Sequence, residues 1–435
     1  MILSFAAANF RSIKTRQELS LEADAGKSKP DNLAELETAS GPLRVLTSAV
    51  IYGPNASGKS NLIRALHVFR TLVTGSAQYR LGEPLEAYEP FRLDPDMEQA
   101  PVHLDLEFLL GQVKYRYTLA FTRYEVVQEK LTFYPEGTRA LLYERVQEPG
   151  DSHRIDPGKK LKRTRFSRQV FRHQLFLSRF GTTEPHPQLT EVFKFIQQIE
   201  IWNASDAIRM GQLRKQIVQD LALPEQDPEY RLKLSKLIAS ADTGIREILV
   251  KEIPEEEFRF PEDFPAQERR RILEENAVRV YARHPGFRSG EPAGSVDFEL
   301  HEESAGTQVL FGLGGMALKK LESGGILVFD ELDNSLHPRL ARFLVRLFMS
   351  PVSNPHHAQL IFATHEVSLI GKEMFRKDQI WFTQKDRTGA SELYGAADFP
   401  GVRDDAPFDR LYMTGKFQAQ PRIKESAFLH EAPGI

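Results

Sequence analysis

Val45–Tyr52 (VLTSAVIY) runs directly into Gly53–Ser60 (GPNASGKS), and this stretch decides the fold of the 435-residue chain. The first half is apolar and suited to a β-strand, and the second half matches the pattern G-x-x-x-x-G-K-S. Apolar residues at helical spacing follow at once, at Leu62, Ile63, Leu66, Phe69 and Val73. Strand, glycine-rich loop and helix in this order predict a phosphate-binding P-loop.

The loop carries the groups that the phosphates of a nucleotide need. Gly53 and Gly58 let the backbone curl so that successive N–H groups point into one concavity, and the helix adds its N-terminal donors. Lys59 is predicted to reach the β- and γ-phosphates, and the Ser60 hydroxyl to bind Mg²⁺. The predicted binding residues for a nucleoside triphosphate are Gly53, Pro54, Asn55, Ala56, Ser57, Gly58, Lys59, Ser60 and Asn61.

The composition excludes several classes of protein. Lys and Arg number 57 and Asp and Glu 60, so the formal charge is −3 and any basic surface must be local. The absence of cysteine excludes disulfides, thiolate zinc sites and cysteine nucleophiles, and fits a cytoplasmic protein. No run approaches the ~20 apolar residues of a membrane-spanning helix. The first residues lack a basic leader, so neither a secretory signal nor contact with a membrane is expected.

The patterns along the chain predict an α/β fold. Residues 2–10 and Leu19–Ala23 are predicted strands, and residues 24–40 a loop. Val102–Phe108 alternates apolar and polar residues, and 113–121 and 125–133 continue this, which predicts an antiparallel sheet flanking the nucleotide core. Residues 187–285 show helical spacing without sustained heptads. We therefore expect an ATP-binding domain formed by residues 1–185 and 291–435, and a helical insertion at 186–290.

A second apolar strand is predicted to carry acidic chemistry. Ile326–Phe329 ends in Asp330 and Glu331, so a buried strand would deliver two carboxylates to its C-terminal edge, where α/β sheets bind ligands. Asp330 is predicted to hold Mg²⁺, directly or through water, and Glu331 to polarise the attacking water. Gln359–His365 predicts a further buried strand that ends at His365.

A basic run lies between the two halves of this site. Lys159–Arg172 contains seven Lys or Arg residues and no acidic residue, with Phe166 and Phe171 interleaved. Such a run could neutralise the phosphates of a nucleic acid and stack on its bases. It could equally be a solvated loop or a patch for an acidic partner protein. The sequence leaves these three interpretations open.

Several motifs resemble one branch of the ABC-type ATPases. Asn9–Ile13 (NFRSI) before the P-loop, and Asp330–Pro338 (DELDNSLHP) after it, resemble the SMC/RecF/OLD-like branch. Asp409–Phe417 (DRLYMTGKF) is similar to the ending of small, nuclease-less OLD-like AAA ATPases of prokaryotic anti-phage (abortive infection) systems. The resemblance covers residues 1–95 and 295–420. At His337 the chain departs from transporter ATPases, which usually have Asp there.

The resemblance implies a P-loop NTPase of ABC-ATPase type that binds ATP with Mg²⁺ and hydrolyses it. It implies that Arg11 lies near the nucleotide and that His365 contacts the γ-phosphate. Ser304 and Gly306, from the S-x-G-x-Q signature at 304–308, would complete the γ-phosphate site of the facing subunit. One chain has one P-loop and one signature, so a homodimer with ATP at its interface is expected, with higher oligomers left open.

The resemblance also implies a biological role. The expected protein is a dimeric switch or sensor that controls a separate effector, a nuclease or a toxin, in prokaryotic anti-phage defence. The 70 residues after His365 are too few for the Toprim nuclease domain of the OLD nucleases. The alternative is a RecF-like DNA-repair or DNA-clamping ATPase. A transporter ATPase is disfavoured by the NFRSI start and by His337.

Overall fold

The computed structural model describes residues 1–162, 165–181, 184–222, 228–241, 243–261, 263–334, 336–371 and 373–420, with the backbone alone of 274–275. The chain divides into two compact units. One consists of Met1–Ile201 and Gln359–Ile435, and the other of Trp202–Ala358.

The described residues form nineteen strands and eight α-helices, numbered in chain order. The strands are β1 (Ile2–Ala8), β2 (Gln17–Ser20), β3 (Leu33–Thr38), β4 (Gly41–Leu46), β5 (Ser48–Tyr52), β6 (Val102–Leu110), β7 (Val113–Phe121), β8 (Val126–Tyr134), β9 (Ala140–Val146), β10 (Ser152–Pro157), β11 (Gln169–Phe171), β12 (Glu200–Asn203), β13 (Glu247–Glu252), β14 (Val278–Arg288), β15 (Glu291–Glu299), β16 (Ile326–Asp330), β17 (Gln359–Ala363), β18 (Ile380–Lys385) and β19 (Ser391–Gly395). The helices are α1 (Lys59–Gly75), α2 (Pro187–Gln197), α3 (Ala207–Ala222), α4 (Pro228–Ala239), α5 (Ala266–Glu275), α6 (Ala305–Ser323), α7 (Pro338–Met349) and α8 (Phe408–Met413).

Eight strands of the first unit form an antiparallel sheet in the order β11-β10-β9-β8-β7-β6-β1-β2. On β6 the residues Val102, Leu104, Leu106 and Phe108 are buried, as the alternation predicts. The predicted flanking antiparallel sheet is therefore confirmed. The predicted loop at 24–40 is wrong in part, because β3 pairs there with β4. β3 exposes Glu35 and Glu37 and buries Ala34 alone, so its apolar signal is weak.

The first unit also contains parallel strands, in the order β17-β5-β18, with β19 antiparallel to β18. β5 and β17 are buried along their whole length, as is usual for strands covered on both faces. The P-loop follows β5 and His365 follows β17. Neighbouring parallel strands present their C-terminal ends at one edge, so the sheet brings these two segments together.

Helix α1 packs its apolar side against the antiparallel sheet. Phe69 makes edge-to-face ring contacts with Phe5 at 6.2 Å and with Tyr117 at 5.4 Å between centroids. Leu62, Leu66 and Val73, predicted from their helical spacing, are buried. The helix that begins at the P-loop lysine is thus fixed to the sheet along its length.

The C-terminal segment of the described chain packs on the strands beside the P-loop. Phe382 of β18 stacks on Phe417 with 4.4 Å between ring centroids and on Tyr412 with 5.9 Å. Tyr412 also lies 6.0 Å from Tyr52, the last residue of β5. Tyr412 and Phe417 belong to the predicted C-terminal motif, and the structure gives them a packing role.

The second unit is built around α6, which packs against α3 and α4. A Cβ at Gly314 would lie 2.8 Å from Leu237, and one at Gly315 2.8 Å from Ile217, so glycine permits this close approach. β13, β14 and β15 form a separate antiparallel sheet. The span 186–290, expected to be a helical insertion, therefore contains strands as well as helices α2–α5. These strands contain alternating charged residues, and the sequence analysis did not identify them.

Among the described helices, none combines the length and the apolar composition that crossing a bilayer requires.

Candidate nucleotide site

The glycine-rich loop has a backbone that only glycine tolerates at two positions. Gly53 has φ 156° and Gly58 has φ 118°. A Cβ on Gly58 would lie 2.2 Å from Ser391 Oγ, and one on Gly53 2.4 Å from Thr383 Oγ1. Both positions therefore require glycine for two reasons: the positive φ angle, and the close approach of β18 and β19, which leaves no room for a Cβ.

Hydroxyl groups from three other segments support the loop. Ser57 Oγ lies 2.5 Å from Thr383 Oγ1, and Ser391 Oγ donates to Ser57 O at 2.5 Å. Ser391 Oγ also lies 2.7 Å from Ser12 Oγ, from which it accepts when its own hydrogen is donated to Ser57 O, and Asn61 Nδ2 donates to Ser12 Oγ at 2.6 Å. The N-terminal turn is therefore tied to the P-loop. The sequence analysis missed Ser12, Thr383 and Ser391, because single hydroxyl residues carry no motif signal.

The structure brings Lys59 and His365 together. Lys59 is 5% exposed, and its Nζ donates to Gly53 O at 2.8 Å and to Pro54 O at 3.3 Å. The same Nζ lies 3.5 Å from Nδ1 of exposed His365. The ammonium group thus lies inside the curl of its own loop. Phosphate oxygens could replace these carbonyl oxygens as its partners.

Two open clefts adjoin this arrangement within the first unit. One, of about 880 Å³, is lined by Gly53–Asn55 and His365 on one side and by Tyr412 and Met413 on the other. The second, of about 1270 Å³, is lined by Arg11, Ser12 and residues of the 84–93 and 122–124 segments. Lys385 lines both clefts. Their sizes suit a nucleotide.

Arg11 lies in the turn that supports the P-loop, but its side chain is engaged elsewhere. Its backbone N–H donates to Glu89 O at 2.7 Å, and its Nε lies 3.1 Å from Glu89 Oε2. Arg64 pairs with the other oxygen of Glu89 at 2.7 Å. Arg11 would have to leave Glu89 in order to reach a nucleotide.

The second unit presents the two predicted carboxylates at the end of β16. Asp330 is 4% exposed, its Oδ2 accepts from Asn203 Nδ2 at 3.3 Å, and its backbone O accepts from Ala204 N at 3.0 Å. Glu331 is half-buried and has φ 57°. A left-handed conformation in a non-glycine residue costs of order 1–3 kcal/mol and concentrates at functional sites.

Polar residues that the sequence analysis missed hold Glu331. Ser205 Oγ donates to Glu331 Oε2, and Asn334 Nδ2 donates to Ser205 Oγ at 3.1 Å. Ser205 N in turn donates to Asn203 Oδ1 at 2.8 Å. Residues 203–205, at and after the end of β12, therefore position both carboxylates. These contacts are visible in the fold and not in the sequence.

The predicted signature begins helix α6. Ser304 is its exposed N-cap, and its Oγ accepts from Thr307 N at 3.1 Å. Gln308 Nε2 donates to Glu303 O at 2.9 Å, and Glu303 Oε1 lies 2.7 Å from His284 Nε2. Gly306 follows in the first turn and is half-buried. Contacts within the second unit thus fix this turn.

The donor groups fit a nucleotide and a magnesium ion. The glycine curl and Lys59 suit phosphates, and no side chain caps the N-terminus of α1 in the described structure. Exposed Ser60 and buried Asp330 offer the hard oxygen ligands that Mg²⁺ prefers. Within the described ranges no group of three His, Cys, Asp or Glu could hold a metal alone.

His337, the residue that differs from transporter ATPases, has a local role here. Its Nδ1 accepts from Arg339 N at 3.2 Å, so His337 is the N-cap of α7. The helix that follows it spans Pro338–Met349.

The P-loop after a buried parallel strand, together with the flanking antiparallel sheet, defines a P-loop ATPase of the ABC/SMC-like class, and the predicted fold class is confirmed. Residues 48–371 match the family described as "AAA domain, putative AbiEii toxin, Type IV TA system", and the chain belongs to this family.

Three solved structures are similar to the chain. The SMC head domain from Thermotoga maritima is 15% identical over 91% of this chain and 98% of that chain, with a TM-score of 0.39. An SmcHead bound to the C-winged helix domain of ScpA is 11% identical over 91% and 97%, with a TM-score of 0.45. CbiO1 from Clostridium perfringens, part of the ABC transporter complex cbiONQ, is 10% identical over 92% and 99%, with a TM-score of 0.30. No curated protein matches the chain.

Proposed function

We propose that this chain hydrolyses ATP, as a complex with Mg²⁺, at a site shared by two copies, and that this reaction switches a separate effector. The observation that carries the proposal is the supported P-loop with His365 beside it. The P-loop follows β5 and His365 follows β17 at the same sheet edge, and Lys59 Nζ lies 3.5 Å from His365 Nδ1. An ammonium and an imidazole at the mouth of a phosphate-binding loop suit the β- and γ-phosphates of a nucleotide.

Each residue of the proposed site has a separate role in ATP binding or hydrolysis. Lys59 and the loop amides would bind the phosphates, and His365 would contact the γ-phosphate. Ser60 and Asp330 would hold Mg²⁺, which neutralises phosphate charge when it is bound. Glu331 would accept the proton of the attacking water, and Ser205 would hold the carboxylate in place.

The proposed homodimer follows from the distribution of these groups. One chain contributes one P-loop, in the first unit, and one signature, in the second. Ser304 and the first turn of α6 are exposed enough to meet a facing subunit. A two-fold exchange in which each signature completes the partner's γ-phosphate site would use both motifs of both chains. Higher oligomers are compatible with this arrangement.

The proposed biological role is prokaryotic anti-phage defence. The family description names an AbiEii toxin and a type IV TA system, which supports a place among toxin-linked ATPases. We propose that a nuclease or a toxin acts in trans and that ATP turnover controls it.

The second candidate function is that of a RecF-like DNA-repair or DNA-clamping ATPase. The exposed cations of residues 159–172 favour it. ATP hydrolysis that is stimulated by DNA would support this candidate, and control of an effector encoded nearby would support the first.

The test of the proposed chemistry compares two variants of the full chain. Glu331→Gln should keep ATP bound and lower kcat by ~10²-fold or more, the scale of a lost general base. Lys59→Ala should instead lose ATP binding. Glu322→Gln changes an exposed carboxylate of the same unit and should behave as the wild type. Hydrolysis by Glu331→Gln at the wild-type rate would refute the assignment of the base.

A further inference from the structure

The basic segment is rich in cations and has no compensating charge in its own sequence. Between Asp156 and Glu184 lie eight Lys or Arg residues and no acidic residue. Within it we call residues 158–162 and 165–168, on the connection from β10 to β11, the basic loop. β11 is the edge strand of the eight-stranded sheet, so the loop lies at the outer end of that sheet.

The basic loop is anchored to the fold. Leu161 is 1% exposed. The Phe166 ring packs against Phe176, with 5.3 Å between centroids, and against Phe180, with 6.3 Å. Arg168 O accepts from Ile155 N at 2.8 Å. The backbone of the loop is therefore held in place on both sides of residues 163–164, so ligand binding has to order the cationic side chains but not these anchored residues.

This anchoring changes the interpretation of the interleaved aromatic residues. Phe166 is taken up by packing in the first unit, so it offers no platform for a base. Phe171 on β11 is 47% exposed but stacks on His173, with 5.9 Å between centroids. The loop therefore presents charge rather than aromatic faces.

Among the described residues of the basic loop, four exposed cations have neither an acidic partner nor an aromatic one, and the fifth, Lys160, lies over the Phe133 ring at 5.1 Å from its centroid. In the part of the chain that the structure describes, no Asp or Glu oxygen lies within 4.0 Å of Lys159, Lys162, Arg165 or Arg168. Arg163 lies outside the described residues. Elsewhere in this unit the exposed cations of the sheet are paired, as Arg154 is with Glu148 at 3.0 Å. The basic loop is thus a local positive surface on a chain of net charge −3.

We propose that the basic loop binds the sugar–phosphate backbone of duplex nucleic acid without reading its sequence. Cations on a fixed loop with no exposed aromatic platform suit phosphates rather than unstacked bases. A duplex carries one negative charge per ~1.7 Å of its axis, the densest regular array of such partners. The inference does not depend on the proposed ATPase cycle, because all four cations lie outside the nucleotide site.

The test uses the full chain and a fluorescein-labelled 30-base-pair duplex of mixed sequence. Four phosphate contacts predict a slope of about −3.6 in log affinity against log salt, or a ~10²-fold loss of affinity between 50 and 200 mM KCl. The variant Lys159→Ala/Lys162→Ala/Arg165→Ala/Arg168→Ala should lose this binding. Lys162→Ala alone should lower the slope by about 0.9. This single variant keeps the test valid if the fourfold variant does not fold.

A matched control distinguishes binding by the basic loop from binding that depends only on the total charge of the chain. Lys27→Ala/Lys236→Ala/Arg246→Ala/Arg288→Ala removes two Lys and two Arg that are exposed elsewhere, and it should bind the duplex as the wild type does. Equal losses in both fourfold variants, or no binding by the wild type at 50 mM KCl, would overturn the proposal. Tighter binding of polyglutamate or of a single strand of equal length would also overturn it. ATP binding by the fourfold loop variant should be unchanged, so failure here is distinct from failure of the proposed ATPase function.

Discussion

Glu331 combines a proposed catalytic carboxylate with a left-handed backbone, φ 57°. The hydroxyl of Ser205 donates to this carboxylate, and Asn334 donates to the hydroxyl. Such contacts hold a strained residue in one orientation, which general-base catalysis requires. At the scale of single residues, the segment after β12 is therefore as much a part of the proposed site as the motifs themselves.

Ser205→Ala should lower kcat by about 10-fold or more with little change in KM for ATP. A hydrogen bond to a charged group contributes about 1.5–3 kcal/mol, and here it acts on the orientation of Glu331 rather than on ATP binding. Steady-state ATPase assays give both constants. Ser205→Thr restores the hydroxyl and should recover activity, whereas Ser323→Ala removes a hydroxyl of α6 and should have no effect. A rise in KM with unchanged kcat would assign Ser205 to ATP binding instead.

The sequence was most informative for residues that belong to long motifs. It placed Lys59 in the P-loop, and the family resemblance implied that His365 contacts the γ-phosphate; Lys59 Nζ and His365 Nδ1 lie 3.5 Å apart. It could not find Ser12, Ser205, Thr383 or Ser391, because a serine or threonine becomes a support only through a contact made far along the chain. Arg11 does belong to a motif, but the motif could not reveal that its side chain pairs with Glu89.

At the scale of elements, a buried carboxylate joins strands β7, β8 and β9 of the antiparallel sheet to residues 176–177, which follow β11. Glu129 on β8 accepts from Tyr117 and Tyr143 hydroxyls at 3.0 and 2.9 Å, and from Arg145 Nη2 at 3.1 Å. It also accepts from the backbone N–H groups of Phe176 and Leu177 at 2.9 and 3.1 Å. Burial raises the pKa of Tyr117 and of Tyr143 well above the ordinary value, so both remain hydroxyl donors.

Glu129→Gln should lower the free energy of unfolding by about 3–5 kcal/mol, because it leaves the fully buried guanidinium of Arg145 without a counter-charge. Urea denaturation followed by circular dichroism measures this. Glu144→Gln breaks the partly exposed pair with Lys130 and should cost at most about 1 kcal/mol. Equal and small effects of the two substitutions would show that the cluster is not a stabilising centre.

The same cluster should make stability depend on pH through His153. Burial, reinforced by the nearby Arg145 charge, lowers the pKa of His153 below its ordinary 6.5. The unfolded chain therefore binds this proton more readily, so the stabilisation is present above pH 6.5 and is lost as the pH falls below it. Between pH 7.5 and 5.5, His153→Asn should show a smaller loss of unfolding free energy than the wild type. Exposed His301→Asn should follow the wild type, and identical losses in all three proteins would contradict the assignment.

Elements with a single clear period were predictable, and those with mixed patterns were not. β5, β16 and β17 are apolar runs, and β6–β8 alternate cleanly, so the sequence located all six. β3, β13 and β14 bury few apolar residues, such as Ala34, Ile248 and Val280, so their apolar signal is weak. Charged residues occupy their other face, as in the Arg283–Asp297 pair at 2.9 Å. Pairing with neighbouring strands decides these elements, and a single sequence does not display it.

At the scale of the whole molecule, the residues of the proposed nucleotide site are divided between the two compact units. The P-loop, Lys59 and His365 belong to the first unit, and Asp330, Glu331 and the signature belong to the second. The central claim is that the P-loop of one copy works with the signature of another. Such a shared site predicts that two variants, each inactive alone, regain activity when they are mixed. An enzyme whose site is confined to one chain cannot show this.

Mixing Lys59→Ala and Ser304→Arg subunits is the most direct measurement of that claim. Each variant alone should be inactive, because both of its sites lack one half. Under random exchange half of the dimers are mixed, and each mixed dimer has one intact site of two, so ATPase activity should return to at most about a quarter of the wild-type rate. Ser304 is also the N-cap of α6, where its loss costs about 1 kcal/mol, so thermal melting of each variant is the control for folding. Recovery toward a quarter supports the shared site. Activity no higher than the sum of the separate variants, or a Ser304→Arg protein that is fully active alone, would contradict it.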